Sequence, residues 1–309
     1  MDKETKVPLK FNLQYFAEQG LQSTALSANL EAKTIDFLYK FQTDMRDFIN
    51  VLALFNQQAV TEGYTIKTKV AADTVTLQDG NVPEGEIIPL SYVQFGEGSQ
   101  VEMTSKKYRK VTTYENIQKF GFDEAVDRTD RGVTGEIQKV IREDIFNFID
   151  ENSVATESVA SGTLQGAVAT AWGVLEQLFE GSNNTIVFAN PMDVAKYNAT
   201  ANISLQNAFG ISYLQAFTNT TIIVSNRVKQ GEILATVPEN LTLFYIPANS
   251  EGGQAFNLRS DDSGWIGVGR QQINTNATIE SIFISGVRIL PEFENGLVKI
   301  PIETATTGV

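Results

Sequence analysis

Five carboxylates crowd one stretch of the chain: Glu115, Asp123, Glu124, Asp127 and Asp130. Two carboxylates held close together can divide acid and base roles, so such a cluster is where hydrolytic chemistry would be sought. Their spacing selects no pair, and a solvated or salt-bridged surface accounts for them more simply. Asp261 and Asp262 stand side by side in a polar stretch and could meet a hard cation. Two adjacent acids supply too few oxygens for a cage. Gly264-Trp265-Ile266-Gly267-Val268-Gly269 is glycine-rich but lacks the spacing of a dinucleotide loop, and no helical pattern follows it. The one basic cluster is Lys106, Lys107, Arg109 and Lys110, beside Tyr108 and Val111. It could touch phosphate or pair with acids; in so acidic a chain, ion pairs between subunits are the expected use.

Residue types that are missing narrow the chemistry further. The 309 residues contain no histidine and no cysteine. That removes the Ser-His-Asp triad, histidine metal ligands, thiolate chemistry and disulfides together. No cofactor, metal or catalytic residue is expected. The formal net charge of −13 opposes tight binding to DNA or RNA, whose affinity comes mainly from neutralised phosphates. An acidic protein can nevertheless line a space that holds nucleic acid. Hydrophobic residues at 42% and charged residues at 20% describe a chain able to bury a core. No apolar run of about 18 residues occurs, so no membrane span is expected. Met1 to Val7 mixes both charges with no apolar core behind it, and no secretory signal is read there.

The elements that must position these residues show as changes of period. After an irregular opening with Phe11, Leu13, Tyr15 and Phe16, a helical period runs through Leu30, Ile35, Leu38, Phe41, Met45, Phe48, Ile49, Leu52 and Phe55. From Tyr64 the period becomes two. Asp79-Gly80-Asn81 marks a turn, and Pro83, Gly85 and Pro89 punctuate an extended segment. This long β excursion has too little apolar surface on both faces to bury itself, so it should rest on another molecule. Thr113 to Asp130 reads as a strand passing into a short helical turn. A central amphipathic helix is predicted from Val133 to Asn152, with Thr134 as N-cap and a stripe of Ile137, Val140, Ile141, Ile145, Phe148 and Ile149. Beyond the small, polar residues from Ser153 to Gly162, a second helix carries Leu164, Val168, Trp172, Leu175 and Leu178. Asn190-Pro191 with Asp193 reads as an N-cap, a first-turn proline and an acid at a helix N-terminus. Strands are expected at Ile186 to Phe188, Thr221 to Val224, Ile233 to Val237 and Leu241 to Ile246. Further strands should follow at Ala255 to Leu258, Ile279 to Ile284, Val287 to Leu290 and Leu297 to Ile302.

Three stretches carry a family resemblance. Lys10 to Glu18 (KFNLQYFAE) is similar to the opening of head proteins from phages and prophages of Gram-positive bacteria. Val82 to Ser91 (VPEGEIIPLS) resembles the extended loop of tailed-phage major capsid proteins, and Ile222 to Ile233 (IIVSNRVKQGEI) resembles a late A-domain segment. The order of parts is also similar to that family, whose fold is named after phage Hong Kong 97. The resemblance implies an α+β chain divided into an N-terminal arm at 1–25, a helical region at 26–62 and an extended β-hairpin E-loop at 63–111. A P-domain with a long spine helix would cover 112–160 and 279–309, and an α/β A-domain 161–278.

It further implies a homo-oligomer of hexamers and pentamers in an icosahedral head. Such a virion capsid is assembled in the host bacterial cytoplasm and encloses double-stranded DNA without specific binding. The short opening is too small for a cleaved scaffolding segment, so a separate scaffolding protein or none is expected, with a separate scaffolding protein and a portal as the expected partners. Expected intersubunit contacts are Phe11, Tyr15, Phe16, Glu84, Lys106, Lys107, Arg109 and Lys110. An encapsulin-like nanocompartment shell or another phage assembly protein, such as a tail-tube subunit, is the alternative. A soluble enzyme or ligand-binding protein is the reading from a different class.

Overall fold

The computed structural model describes residues 19–54, 56–155, 162–181, 184–200, 205–208, 211–215, 219–260 and 262–302. Helix α1 (Gln19–Val51) is about 50 Å long at 1.5 Å per residue. Its buried face runs through Phe37, Phe41, Met45 and Phe48, while Ile35 turns outward. Strand β1 (Asn56–Ala59) follows, then the two strands of the excursion, β2 (Thr65–Thr76) and β3 (Tyr92–Glu102). Strand β4 (Lys106–Thr113) leads into α2 (Tyr114–Phe120) and α3 (Phe122–Asn152).

The central helix therefore begins at Phe122, a full three turns before Val133. Gly121 caps it at φ +81°, and Thr134 lies inside it, donating its hydroxyl to Asp130 O at 3.0 Å. The early turns bury only Ala125, Val126 and Asp130, so their helical character does not show as an apolar stripe. Ion pairs hold them instead: Lys33 of α1 reaches Asp127 at 3.0 Å and Asp123 at 3.3 Å. The later turns bury Ile137, Ile141, Ile145 and Ile149, as the spacing requires, with Phe146 beside them.

The second half contains β5 (Val154–Ala155), α4 (Leu164–Leu178), β6 (Thr185–Ala189), α5 (Pro191–Thr200), β7 (Gln206–Ala208), β8 (Ile211–Gln215), β9 (Thr220–Val224), β10 (Glu232–Thr236) and β11 (Leu241–Tyr245). Thr163 caps α4, accepting from Gly166 N at 3.1 Å, and Asn190 accepts from Met192 N at 2.9 Å at the start of α5. A one-turn helix, α6 (Glu251–Ala255), stands where the sequence read as a loop leading to a strand at 255–258. Then come β12 (Arg259–Ser260), β13 (Ile266–Ile273), β14 (Thr278–Ser285), β15 (Val287–Pro291) and β16 (Val298–Pro301).

Pairing sorts the strands into a seven-stranded sheet (β5-β16-β10-β6-β9-β8-β7), a four-stranded sheet (β12-β13-β14-β4), a three-stranded sheet (β1-β11-β15) and the β2–β3 ribbon. These sheets cut across the expected domain limits. Strands β11 and β13, placed in the A-domain by sequence, pair with β15 and β14, whereas the closing strand β16 joins the seven-stranded sheet. Strand β4 pairs along its whole length with β14 and so does not belong to the excursion, which ends at Glu102. Partner strands distant in sequence set these memberships, and local period is blind to them.

One core cluster joins α1 and α3 to the seven-, four- and three-stranded sheets, through residues such as Phe188, Leu243 and Phe283. Phe146 meets Phe188 edge to face at 5.3 Å, and Phe37 meets Phe283 at 4.9 Å between ring centroids. A second cluster packs α4 and α5 on the other face of the seven-stranded sheet. Phe188→Ala, at 1% exposure in the first cluster, should cost about 3–5 kcal/mol of stability. Urea unfolding would measure it, with Trp172→Ala on the outer face of α4 changing stability far less.

Candidate assembly surfaces

The β2–β3 ribbon is the part of the chain built to reach outward. Its base is tied down by polar contacts. Glu294 Oε1 accepts from Thr68 Oγ1 at 2.5 Å and from Ser99 N at 2.7 Å, and Ser99 Oγ donates to Asn152 Oδ1 at the end of α3 at 3.0 Å. Burial works to raise the Glu294 pKa, but these donors outweigh it and hold the carboxyl below its ordinary value. Lys69 adds a backbone bond to Glu292 O at 2.8 Å and an ion pair with its carboxylate at 2.9 Å. Gly98 sits so close to Thr68 that an added Cβ would lie 2.7 Å from the Thr68 carbonyl oxygen. Below the ribbon, Met103 and Ile66 pack with Val60 and Leu290 in a small cluster of their own. Glu62 closes the junction by accepting from Ser105 N and Oγ, and the hydroxyl contact in particular lowers its pKa.

Beyond that base the ribbon leaves the apolar residues of its tip in water. Ile87 is 94% exposed, Leu90 88%, Ile88 77% and Leu77 77%. Glu84 lies exposed among them. Pro83 and Pro89 restrict the backbone, Gly85 takes φ +90°, and Glu86 N donates to Pro83 O at 3.2 Å, so the tip is a stiffened turn. The large apolar residues are thus present in the excursion, gathered at its tip.

Within the protomer the basic strand lies among acids of its own chain. Lys106 pairs with Asp144, Arg109 with Glu280, and Lys110 with Asp130, all inside the chain. Strand β4 lies beneath α3 and beside β14, which brings those acids within reach. Lys110 is only 8% exposed, and Arg270 shares Asp130 with it at 2.8 Å. Burial pushes the Lys110 pKa down, against the pull of Asp130. Lys107 is the residue of the group left exposed without an ion pair among the described residues. Phe11, Tyr15 and Phe16 lie outside the described residues.

The features with chemical promise are also accounted for. Asp123, Asp127 and Asp130 are each paired to lysine or arginine, and Glu124 meets Arg131 at 3.5 Å. Asp262 lines a cleft of about 720 Å³ with Arg46 and Trp265, while Asp261 lies outside the described residues. Among the described residues no group of three or more acids is placed to hold a metal ion. The glycine-rich stretch is a matter of packing: an added Cβ at Gly267 or Gly269 would come within 3.0 Å of the Leu258 side chain. Among the described residues no helix is long and apolar enough to cross a membrane.

A long helix joined to three sheets, with a two-stranded ribbon thrown clear of them, defines the chain as a Hong Kong 97-like capsid fold. Two solved structures share it. The capsid of a native GTA particle aligns with a TM-score of 0.51 at 10% identity, over 82% of this chain and 89% of that one. The SrpI encapsulin of Synechococcus elongatus PCC 7942 aligns at 0.50 and 13% identity, over 84% and 89%. No protein-family model matches, and no curated protein is similar in sequence.

Gly98→Ala should loosen the ribbon base, because Thr68 backbone would have to move. Amide exchange of Ile66 to Val70 would quicken while that of β6 stays unchanged. The Glu294 contacts should stabilise the ribbon fully above the ordinary glutamate pKa of about 4.3 and fade as pH falls through the lower folded-state value. Glu294→Gln would remove that acid dependence, read from thermal unfolding as a function of pH.

Proposed function

We propose that this chain is the major capsid protein of a tailed double-stranded-DNA phage or prophage. In this reading copies assemble as hexamers and pentamers into a closed icosahedral head. The observation that carries it is the uncovered tip. A folded subunit that leaves Ile87, Ile88 and Leu90 in water has an apolar face waiting for a sister copy. Burying each such side chain contributes about 1.5–3 kcal/mol, and many modest contacts per subunit sum to a stable shell. The opening residues Phe11, Tyr15 and Phe16 would serve as a second reaching segment.

The charge supports the same role. Three of the four cations of the basic cluster are spent on internal acids, in a chain with a formal net charge of −13. An acidic lining repels phosphates, so DNA can fill the head without adhering. A separate scaffolding protein and a portal complete the proposed set of partners, and the work of the subunit is structural, without catalysis.

The fold shared with SrpI encapsulin supports a second reading, a nanocompartment shell. Cargo separates the two: packaged DNA or an enclosed protein. Expressed alone and viewed by negative-stain microscopy, the wild-type chain should form closed shells or rings of capsomers. Replacing residues 78–91 by two glycines removes the tip but keeps β4, which the four-stranded sheet needs. That variant should stay soluble, with thermal unfolding close to wild type, and form no closed shells. Normal shells from it would refute the role given to the tip.

A further inference from the structure

The chain contains one Asp-Gly pair, Asp79-Gly80, and one Asn-Gly pair, Asn295-Gly296. In both, the glycine leaves its main-chain nitrogen free to attack the preceding side-chain carbonyl carbon, because no Cβ crowds the approach. Sequence alone ranks Asn295 first, since a carboxamide cyclises more readily than an ionised carboxylate. The fold places the two pairs in opposite surroundings. Asn295-Gly296 lies in the 3-10 turn Glu294–Gly296 at the ribbon base, where Gly296 is buried and its N donates to Phe293 O at 3.2 Å. A Cβ added there would lie 2.6 Å from both Asn240 Nδ2 and Phe179 Cζ, so the backbone has no room to pivot. Asn240 also locks the turn, accepting from Phe293 N at 2.8 Å and donating to Phe293 O at 2.9 Å.

Asp79-Gly80 lies in the open. Both residues are exposed beyond the end of β2, just past the bond from Gln78 N to Ser91 Oγ at 3.2 Å that crosses the ribbon. A Cβ added at Gly80 would meet nothing within 4 Å, and Gly80 N makes no backbone hydrogen bond among the described residues. Asp79 Oδ1 accepts from Asn81 N at 2.9 Å, which curls the side chain over the peptide that follows it. That same N–H sits where negative charge gathers when the Gly80 nitrogen attacks Cγ. We propose that Asp79 converts spontaneously to isoaspartate through a succinimide while Asn295 is spared, the reverse of the sequence ranking. Gly80 N bonds to Cγ of the protonated acid, and the proton of that nitrogen leaves with the carboxyl hydroxyl as water. Water then adds to the main-chain carbonyl carbon of Asp79 and breaks its bond to Gly80 N. The chain now runs on through Cγ, with no net change in mass and one more main-chain atom in the ribbon turn. The product is a substrate for enzymes that methylate isoaspartyl carboxylates. This chemistry needs no second copy and stands apart from the shell reading.

The folded wild-type chain, aged at neutral pH, mapped by peptide mass spectrometry and probed with an isoaspartyl methyltransferase, provides the test. Isoaspartate at Asp79 should accumulate on the order of tenfold faster than deamidation at Asn295, which must await local opening of the ribbon base. Gly80→Ala has space for its methyl group, so it should leave thermal unfolding unchanged while slowing the reaction at Asp79 several-fold. In urea, with the fold gone, the ranking should invert and Asn295 should react faster. Absence of isoaspartate at Asp79, faster change at Asn295 in the folded chain, an undiminished rate in G80A, or the same ranking in urea would each overturn the proposal.

Discussion

Four isoleucines on one stripe of α3, at 137, 141, 145 and 149, are the contact on which the architecture depends. The long helix α1 and three of the four sheets belong to the same cluster of buried side chains. Phe188 represents the seven-stranded sheet, Leu243 the three-stranded and Phe283 the four-stranded. Close-packed interiors transmit displacement instead of absorbing it, so a shift of α3 would be felt in every sheet at once.

The β2–β3 ribbon is the exception. Its base packs in a separate cluster around Met103 and is fastened by Glu294, Ser99 and Asn152. Among the described residues its outer part adds no side chain to the main core. The subunit can therefore be folded while its reaching segment remains uncovered. In the shell reading proposed above, stability and assembly draw on different residues, so a subunit folds before its neighbours arrive. The polar fastening also sets the direction in which the tip projects, something a purely apolar base would do less well because it lacks directional bonds.

Helices with a clean apolar stripe were legible from sequence, as was one cap whose chemistry is local. Asn190 before α5 caps as its residue type requires, whereas Thr134, read as a cap, lies inside α3, and the Thr163 cap of α4 was not read. The first three turns of α3 were not legible, because salt bridges to Lys33, Lys110 and Arg270 hold them in place of burial. Strand β1 was missed for a related reason: Asn56 to Ala59 has no alternation of burial, and only its parallel pairing with β11 makes it a strand. At the assembly surfaces, the exposed segment around Glu84 could be located from its prolines and glycines. The fate of the basic cluster could not, since the acids that neutralise it lie 20 to more than 100 residues away.

By itself the sequence determined the inventory: an acidic chain without histidine or cysteine, two long amphipathic helices, and an extended excursion punctuated by prolines and glycines. Those properties are local, arising from residue type and from spacing within a few turns. Tertiary structure alone decided that Lys110 is a buried partner of Asp130 and that the expected domain limits dissolve into shared sheets. It also decided that Lys139, Arg142, Glu143 and Arg227 come together at one groove between α3 and α5. Each of these depends on which distant segments pair, and pairing is selected by the packing of the whole chain.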